Sequence, residues 1–459
     1  MGDYESFVDR KLACVPPSGI ASGFSLPGSL FPHQSALTGW ALRRGRSAIF
    51  ADTGLGKSRM ELAWAAAVTR YTRKPVLILA PLAVAQQTAN EGAAIDIAVT
   101  VCRDGSDIRP GINITNYDRL HRFDASEFGG VVLDESSIIK HHDAKTFRLL
   151  TEAFNLTPFR LPATATPAPN DWTELGTHAE FLGICTRQEM LAEFFCHDGG
   201  DTQTWRLKGH AKHAFWRWVV SWGALIRKPS DLGFADDAYN LPPLHLREHH
   251  VDVEMPTNGM LFALEAQTLS ERRDARRASM EDRVAECARI VNAEPGEPWV
   301  VWCDLNDESA ALTKAIDGAI EIRGSDDVDD KEERLQAFAA GKARVLVSKP
   351  SICGWGLNWQ HSARMAFVGV TDSYEAYYQA VRRCWRFGQK RPVHVHIFAS
   401  SAEGAVVANL KRKEREALHM AEALSAETRD AVMAEVTGTR RESNQHNAGR
   451  RVQVPAWLG

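Results

Sequence analysis

The stretch "IFADTGLGKSRM", residues 49–60, governs how the rest of the chain is read. A short apolar run gives way to a glycine-bearing loop, and a helical pattern starts directly after it. That order is the context in which a phosphate loop operates. Gly54 and Gly56 stand where backbone N–H groups must come close to phosphate oxygens. Lys57 stands where an ammonium meets the β- and γ-phosphates, and Ser58 where a hydroxyl reaches magnesium. Ala51 takes the opening position that usually holds glycine, adding only a methyl group, while Asp52, Thr53 and Leu55 fill out the loop. Residues 51–58 therefore read as a nucleotide cradle rather than an incidental turn.

Further apolar runs follow at "PVLILAP" (75–81), "GVVLDE" (130–135), "PWVVWCD" (298–304), "ARVLVSK" (343–349), "RMAFVGV" (364–370) and "PVHVHIFA" (392–399). Their hydrophobicity is continuous rather than alternating, as strands covered on both faces require. Helical patterning lies between them, for example in "DDKEERLQAFAAG", so the chain reads as α/β with two sets of parallel strands. The run "VVLDESS" delivers Asp134 and Glu135 at the carboxyl end of a strand. Downstream of a phosphate loop, such an aspartate holds magnesium and the adjacent glutamate polarises the attacking water. In "QAVRRCWRFGQ" (379–389), Arg383 and Arg386 are three residues apart and share one helix face. An arginine pair in the second α/β set suits insertion across a cleft toward phosphate.

Composition narrows the class. The chain has 459 residues, 44% of them hydrophobic, enough for several domains with sizeable cores. Its formal net charge of -4 means that a polyanion must be met by a local basic patch. The eight cysteines form no C-x-x-C pair, which fits a reducing cytoplasm. No apolar run approaches the length of a membrane span, and "MGDYESFVDR" is too acidic for a secretory leader. Cys196, His197, His210 and His213 lack the paired spacing of a zinc site. Trp216, Trp218 and Trp222 recur at helical spacing and are expected to pack a helical subdomain rather than to stack on bases.

Taken in order, these motifs resemble those of superfamily 2 helicases, specifically the SWI/SNF-type translocase branch and its compact phage-encoded relatives. "LFPHQ" resembles the Q motif, "ADTGLGKS" motif I in the form that tolerates alanine first, and "DESSIIK" motif II. "LILAPLAVAQQ" and "ITNYDRL" resemble motifs Ia and Ib, and "LPATATPAPNDWTELGTHAEFL" resembles motif III and its continuation. "SKPSICGWGLNWQ" resembles motif V and "QAVRRCWRFGQ" motif VI. Cys353 stands where the family usually has a small residue, Trp385 where it has histidine, and "DSYEAYY" replaces an Asn-Pro.

The resemblance implies two RecA-like lobes around Mg-ATP. The first would span 28–170 after an N-terminal segment, 1–27, and be followed by a helical insertion and linker, 171–244. The second would span 245–402, before a helical tail and polar C-terminus, 403–459. Gln34 would read adenine, and residues 51–58 would hold the phosphates. Lys57, Asp134, Glu135, Gln379, Arg383 and Arg386 would carry the chemistry, with Ser58 and Asp134 on magnesium. Thr164 and Thr166 would couple hydrolysis to motion. Nucleic acid would touch Pro81, Thr115, Asn116, Tyr117, Lys349 and Trp355. The expected protein is a monomeric, cytoplasmic (host-cytoplasmic if phage-encoded), ATP-driven translocase with duplex DNA as its favoured track. An ATP-gated DNA clamp and an RNA helicase are the alternatives.

Overall fold

The computed structural model describes residues 15–81, 84–168, 171–198, 201–236, 239–251, 277–353, 358–369, 373–400, 412 and 429–437. The strands of the first lobe are β1 (Ala48–Ala51), β2 (Val76–Ala80), β3 (Val99–Val101), β4 (Ile112–Asn116), β5 (Gly130–Asp134) and β6 (Phe159–Ala163). A hairpin of β7 (Phe195–Asp198) and β8 (Asp201–Leu207) intervenes before β9 (Gly223–Ile226). The sheet runs β3-β4-β2-β5-β6-β1-β9, parallel throughout.

Continuous apolarity has its expected consequence here. Every residue of β1, β2 and β5 is buried, because helices cover both faces of the sheet. On one face, Ile49, Ile78 and Val132 pack with Leu37, Trp40, Met60, Trp64 and Val68 of the helices Pro32–Arg44 and Lys57–Thr72. On the other, Phe50, Leu79 and Leu133 pack with Phe147, Leu175, Phe215 and Trp222.

The second lobe repeats the plan. Its strands are β10 (Leu244–Val251), β11 (Trp299–Cys303), β12 (Ala319–Ile322), β13 (Val345–Ser348), β14 (Arg364–Val368) and β15 (Val393–Ser400). They run β10-β15-β14-β11-β13-β12, again all parallel. The fold is therefore two parallel-sheet α/β lobes.

The stretch 171–244 is more than a helical insertion with a linker. It does contain the helices Leu175–Phe181, Arg187–Phe194 and Lys212–Val220, and Trp216 and Trp222 are buried in the first-lobe core as expected. It also supplies the hairpin, and β9 completes the first sheet beside β1. "GALI" is too short to show a period, so only its pairing with β1 reveals it as a strand. The expected tail is described at 429–437, a helix that returns to the first lobe. Val432 and Val436 are buried there, and Glu435 pairs with Arg44.

Hydrogen bonds and ion pairs join the lobes. Tyr378 Oη donates to Asp52 Oδ1 at 2.6 Å, and Arg382 Nη2 lies 3.4 Å from Asp52 Oδ2. Lys140 pairs with Glu375, and Asn358 Nδ2 donates to Glu91 Oε1 at 3.3 Å. The linker is pinned as well, since Trp385 Nε1 donates to the Pro242 carbonyl at 2.7 Å. Trp385, one of the departures from the family pattern, thus acts as the linker's anchor.

Two outcomes follow from these contacts. Within the second lobe, Arg283 and Glu308 form an ion pair at 2.8 Å with both side chains fully buried, and Glu308 also accepts from the backbone N–H groups of Asp304 and Leu305. Glu308→Ala leaves a buried guanidinium without its carboxylate, so urea unfolding should register a loss of about 3–5 kcal/mol. The Arg283→Met/Glu308→Leu double variant should lose much less. Between the lobes, Tyr378→Phe removes a charge-assisted hydrogen bond contributing roughly 1.5–3 kcal/mol. Small-angle scattering of the nucleotide-free variant should show a more open molecule than the wild type; an unchanged profile would deny the contact its role.

Candidate active site

Because β5, β6 and β1 are neighbours, the loops leaving their carboxyl ends emerge side by side. Such carboxyl ends are where open parallel sheets bind ligands. The loop after β1 begins at Ala51 and Asp52, passes Thr53 and Leu55, and enters its helix at Lys57. Gly54 and Gly56 have φ of +90° and +81°, values that side-chain-bearing residues rarely adopt. A Cβ on Gly56 would lie 2.2 Å from Gln34 Nε2, and one on Gly54 would lie 3.0 Å from the backbone nitrogen of Phe387. The loop is thus closely approached from its own lobe and from the other.

A cleft of about 360 Å³ opens between the lobes. From the first lobe it is lined by Gln34, Thr53, Gly54, Gly56, Lys57, Ser58, Asp134 and Glu135, and from the second by Arg383 and Arg386. Of the expected catalytic groups, all but Gln379 therefore converge, although they come from elements far apart in sequence.

Several of these groups are braced. Lys57 Nζ donates to the Ala51 carbonyl at 3.0 Å, which keeps the ammonium under the loop. Gln34 accepts from the Phe31 N–H and donates to the Leu55 carbonyl, both at 3.0 Å, so it ties the Q motif to the loop. Gln379 lies behind the cleft. Its Oε1 accepts from Arg383 Nη2 and its carbonyl from Arg383 Nε, each at 3.0 Å, making it a support for that arginine. Thr164 Oγ1 stands 3.5 Å from Glu135 Oε2 and accepts from the Thr166 N–H at 3.2 Å, which links motif III to the carboxylate. Glu135 itself has a left-handed backbone, φ 53° and ψ 53°, an uncommon conformation for a non-glycine residue at the end of a strand.

Electrostatics sharpen the picture. Burial, followed by the neighbouring Glu135, pushes the Asp134 carboxyl up to about 7. Burial and Asp134 likewise raise Glu61, one helical turn beyond Lys57. Both Glu61 carboxylate oxygens are buried and make no hydrogen bond among the described residues. Glu91 adds a further negative group on the cleft wall. A site so crowded with carboxylates around Lys57 suits a divalent cation, and Ser58 with Asp134 offers the hard oxygen donors that magnesium takes. Opposite them, burial and then Arg386 lower the Arg383 guanidinium to about 10. Asp52 is raised by burial but pulled further down by Arg382, Tyr378 and the Thr53 N–H, so its net shift is downward and it stays ionised.

The nucleic-acid candidates are more scattered. Pro81 follows β2 and is half-buried. Thr115 and Asn116 are buried, and the Asn116 side chain caps the following turn by accepting from the Arg119 N–H. Tyr117 Oη donates to the Asp134 carbonyl at 2.7 Å, so motif Ib buttresses motif II. Asn116 and Tyr117 are thus engaged within the lobe, and Thr115 is buried in β4. Lys349 is half-buried beyond β13, and Trp355 lies outside the described residues.

Other residues at the cleft were not legible as such. Phe31, Tyr239 and Phe387 line it, as do Gln87, Glu91 and Asn358. Glu61 carried a signal, being an acidic residue on the otherwise apolar face of "MELAWAAAV". Tyr239 carried none, because it sits in a proline-containing linker.

The chain is similar to several known proteins. Residues 282–388 match the helicase conserved C-terminal domain. The chain is 24% identical over 452 residues to protein p41 of Acyrthosiphon pisum secondary endosymbiont phage 1, covering 84% of this chain and 96% of that protein. It is also similar to the Sulfolobus solfataricus SWI2/SNF2 ATPase core in complex with dsDNA, with TM-score 0.42, 16% identity, and coverage of 90% of this chain and 98% of that one. Among the described residues no helix is long and apolar enough to cross a membrane. Residues 282–388 thus carry the helicase conserved C-terminal domain, behind the lobe that bears the phosphate loop, and the chain has a phage-encoded relative over most of its length.

Proposed function

We propose that this protein is an ATP-driven translocase acting on nucleic acid, with duplex DNA as its preferred track. The observation that carries the reading is the convergence of Arg383 and Arg386 on the cleft that holds Lys57, Ser58, Asp134 and Glu135. Each half of that set is incomplete without the other, so hydrolysis depends on how the lobes meet. Lys57 and the N–H groups of residues 53–58 would bind the phosphates. Magnesium held by Ser58 and Asp134 would neutralise charge at the β- and γ-phosphates. Glu135 would take a proton from the attacking water, while Arg383, braced by Gln379, and Arg386 meet charge developing on the transferring phosphoryl group. Thr164, next to Glu135, would carry the change in that carboxylate to the rest of motif III.

Relative lobe movement would shift the grip on a strand bound across both lobes. Binding through phosphates makes such a grip largely independent of sequence and steeply dependent on salt. The similarity of motifs to enzymes that run along duplex DNA favours that track.

Glu135→Gln should keep ATP binding and abolish turnover, since an amide cannot accept the proton. Hydrolysis at near wild-type rate would remove Glu135 from this role. Arg386→Ala should lower the catalytic rate by about 10³–10⁵-fold, the range of other arginine fingers, with much less effect on affinity.

The decisive experiment compares ATP turnover without nucleic acid and with duplex DNA, single-stranded DNA or RNA, then tests displacement of a third strand from a triplex. A translocase should turn over faster on longer duplexes and displace the third strand with little unwinding of a blunt duplex. Strand separation without triplex displacement would identify a conventional helicase, and stimulation by RNA alone an RNA helicase. Robust turnover with neither movement would identify an ATP-gated clamp.

A further inference from the structure

The stretch "WRLKGHAKHAFWRW", residues 205–218, holds four lysines and arginines and two histidines, with no aspartate or glutamate. In a chain of net charge -4, it is a local concentration of the opposite sign. The stretch finishes the hairpin of β7 and β8, passes the turn Gly209–Ala211 and enters the helix Lys212–Val220. Arg206, His210, Lys212, His213 and Arg217 are exposed, while Phe215 and Trp216 between them are buried. The apolar residues therefore serve the core and leave the charges on the surface.

This corner is built on a packed framework. The Lys208 N–H donates to the Phe194 carbonyl at 3.0 Å. Its Nζ donates to the carbonyls of Ala192 and Glu193, both at 2.8 Å, so this lysine is spent on the end of the helix Arg187–Phe194. Phe215 lies 5.4 Å from both Phe194 and Phe195, and Trp216 lies 4.9 Å from Trp172. Across the hairpin, His197 and Trp205 are in register with ring centroids 3.9 Å apart. Phe215 and Trp216 also share an apolar layer with Leu120 and Tyr117 of the motif Ib turn, so both segments lie on one face of the first sheet.

A basic surface free of acidic residues and held by aromatic packing suits a regular polyanion. Of the strand-contact residues expected from the motifs, only Lys349 is a cation, which leaves room for phosphate contacts elsewhere on the chain. We propose that the corner is a second nucleic-acid contact, where Arg206, Lys212 and Arg217 take backbone phosphates outside the lobe motifs. All three residues belong to the first-lobe unit, so this grip does not depend on where the second lobe stands. The assignment rests on the nucleic-acid reading above and adds a surface to it.

The test titrates the full chain, without nucleotide, onto labelled duplex DNA, single-stranded DNA and RNA of arbitrary sequence at several salt concentrations. The logarithm of the association constant falls with the logarithm of salt by roughly 0.9 per neutralised phosphate on a duplex and about 0.7 on a single strand. Arg206→Gln/Lys212→Gln/Arg217→Gln should therefore bind more weakly, with a slope shallower than wild type by about two to three. Arg217→Gln alone should lower the slope by about one. A charge-matched control, Arg148→Gln/Lys314→Gln/Lys342→Gln, alters exposed cations elsewhere and should keep the wild-type slope. Unfolding temperatures close to that of wild type show that the variants are folded. An unchanged slope in the triple and single variants would leave the corner to solvent or to a protein partner, and an equal change in the control would reduce the effect to net charge. Either result overturns the proposal. A wild type that binds none of the three nucleic acids would reject the proposed function itself and this contact with it.

Discussion

Asp52 connects the phosphate loop to the opposite lobe through Tyr378 and Arg382, and the geometry of the cleft depends on that buried contact. Taking a carboxylate out of water is costly unless it is paired and hydrogen-bonded. Here the cost is offset by a guanidinium, a phenol and the N–H of Thr53, which together hold the carboxyl below its usual range despite burial. Arg382 is in turn held over the rings of Trp385 and Tyr378, at 4.7 and 5.2 Å. One residue of the loop is thus joined to the segment that presents the arginine pair, and Trp385 of the same segment holds the linker. Nucleotide loop, arginine pair and linker form one connected unit.

That unit encloses an excess of negative charge. Burial, and then the neighbouring carboxylates, raise the carboxyls of Asp134 and Glu61 beside Lys57. Arg383 and Arg386 face them and are themselves lowered by burial. Like charges gathered out of water favour any ligand that brings a cation between them. A magnesium–nucleotide complex meets both demands, since its metal suits the carboxylates and its phosphates suit Lys57 and the arginines. The hydrogen bond from Thr164 ties Glu135, whose backbone is left-handed, to motif III.

Much of this was legible in the sequence. Doubly covered strands leave long apolar runs, so β1, β2, β5, β11, β13, β14 and β15 could be located without coordinates. The phosphate loop was readable because glycines, lysine and hydroxyl must follow one another at fixed spacing to cradle phosphate. Asp134 and Glu135 were readable because a strand end aims them; Arg383 and Arg386 were expected on one helix face, but the helix Tyr374–Val381 stops before them and the turns that follow bring both to the cleft. These are local requirements, and local requirements leave their pattern in consecutive residues.

What escaped depended on contacts between distant segments. β9 is four residues long and becomes a strand only by pairing with β1. Gln379 is expected to carry chemistry by its place in motif VI, but it bonds to Arg383 from behind the cleft. Thr115 and Asn116 had the order of a strand-contact motif, but the depth of β4 buries their side chains. Tyr378, Arg382, Tyr239 and Phe387 gained their places from the apposition of two lobes and a linker, which no spacing along the chain encodes. The two parallel-sheet lobes and the phosphate, carboxylate and arginine groups can be read along the chain, because each is specified within one element and its loop. Which side chains meet across the cleft is set in three dimensions, because it depends on how two independently built sheets are held against each other.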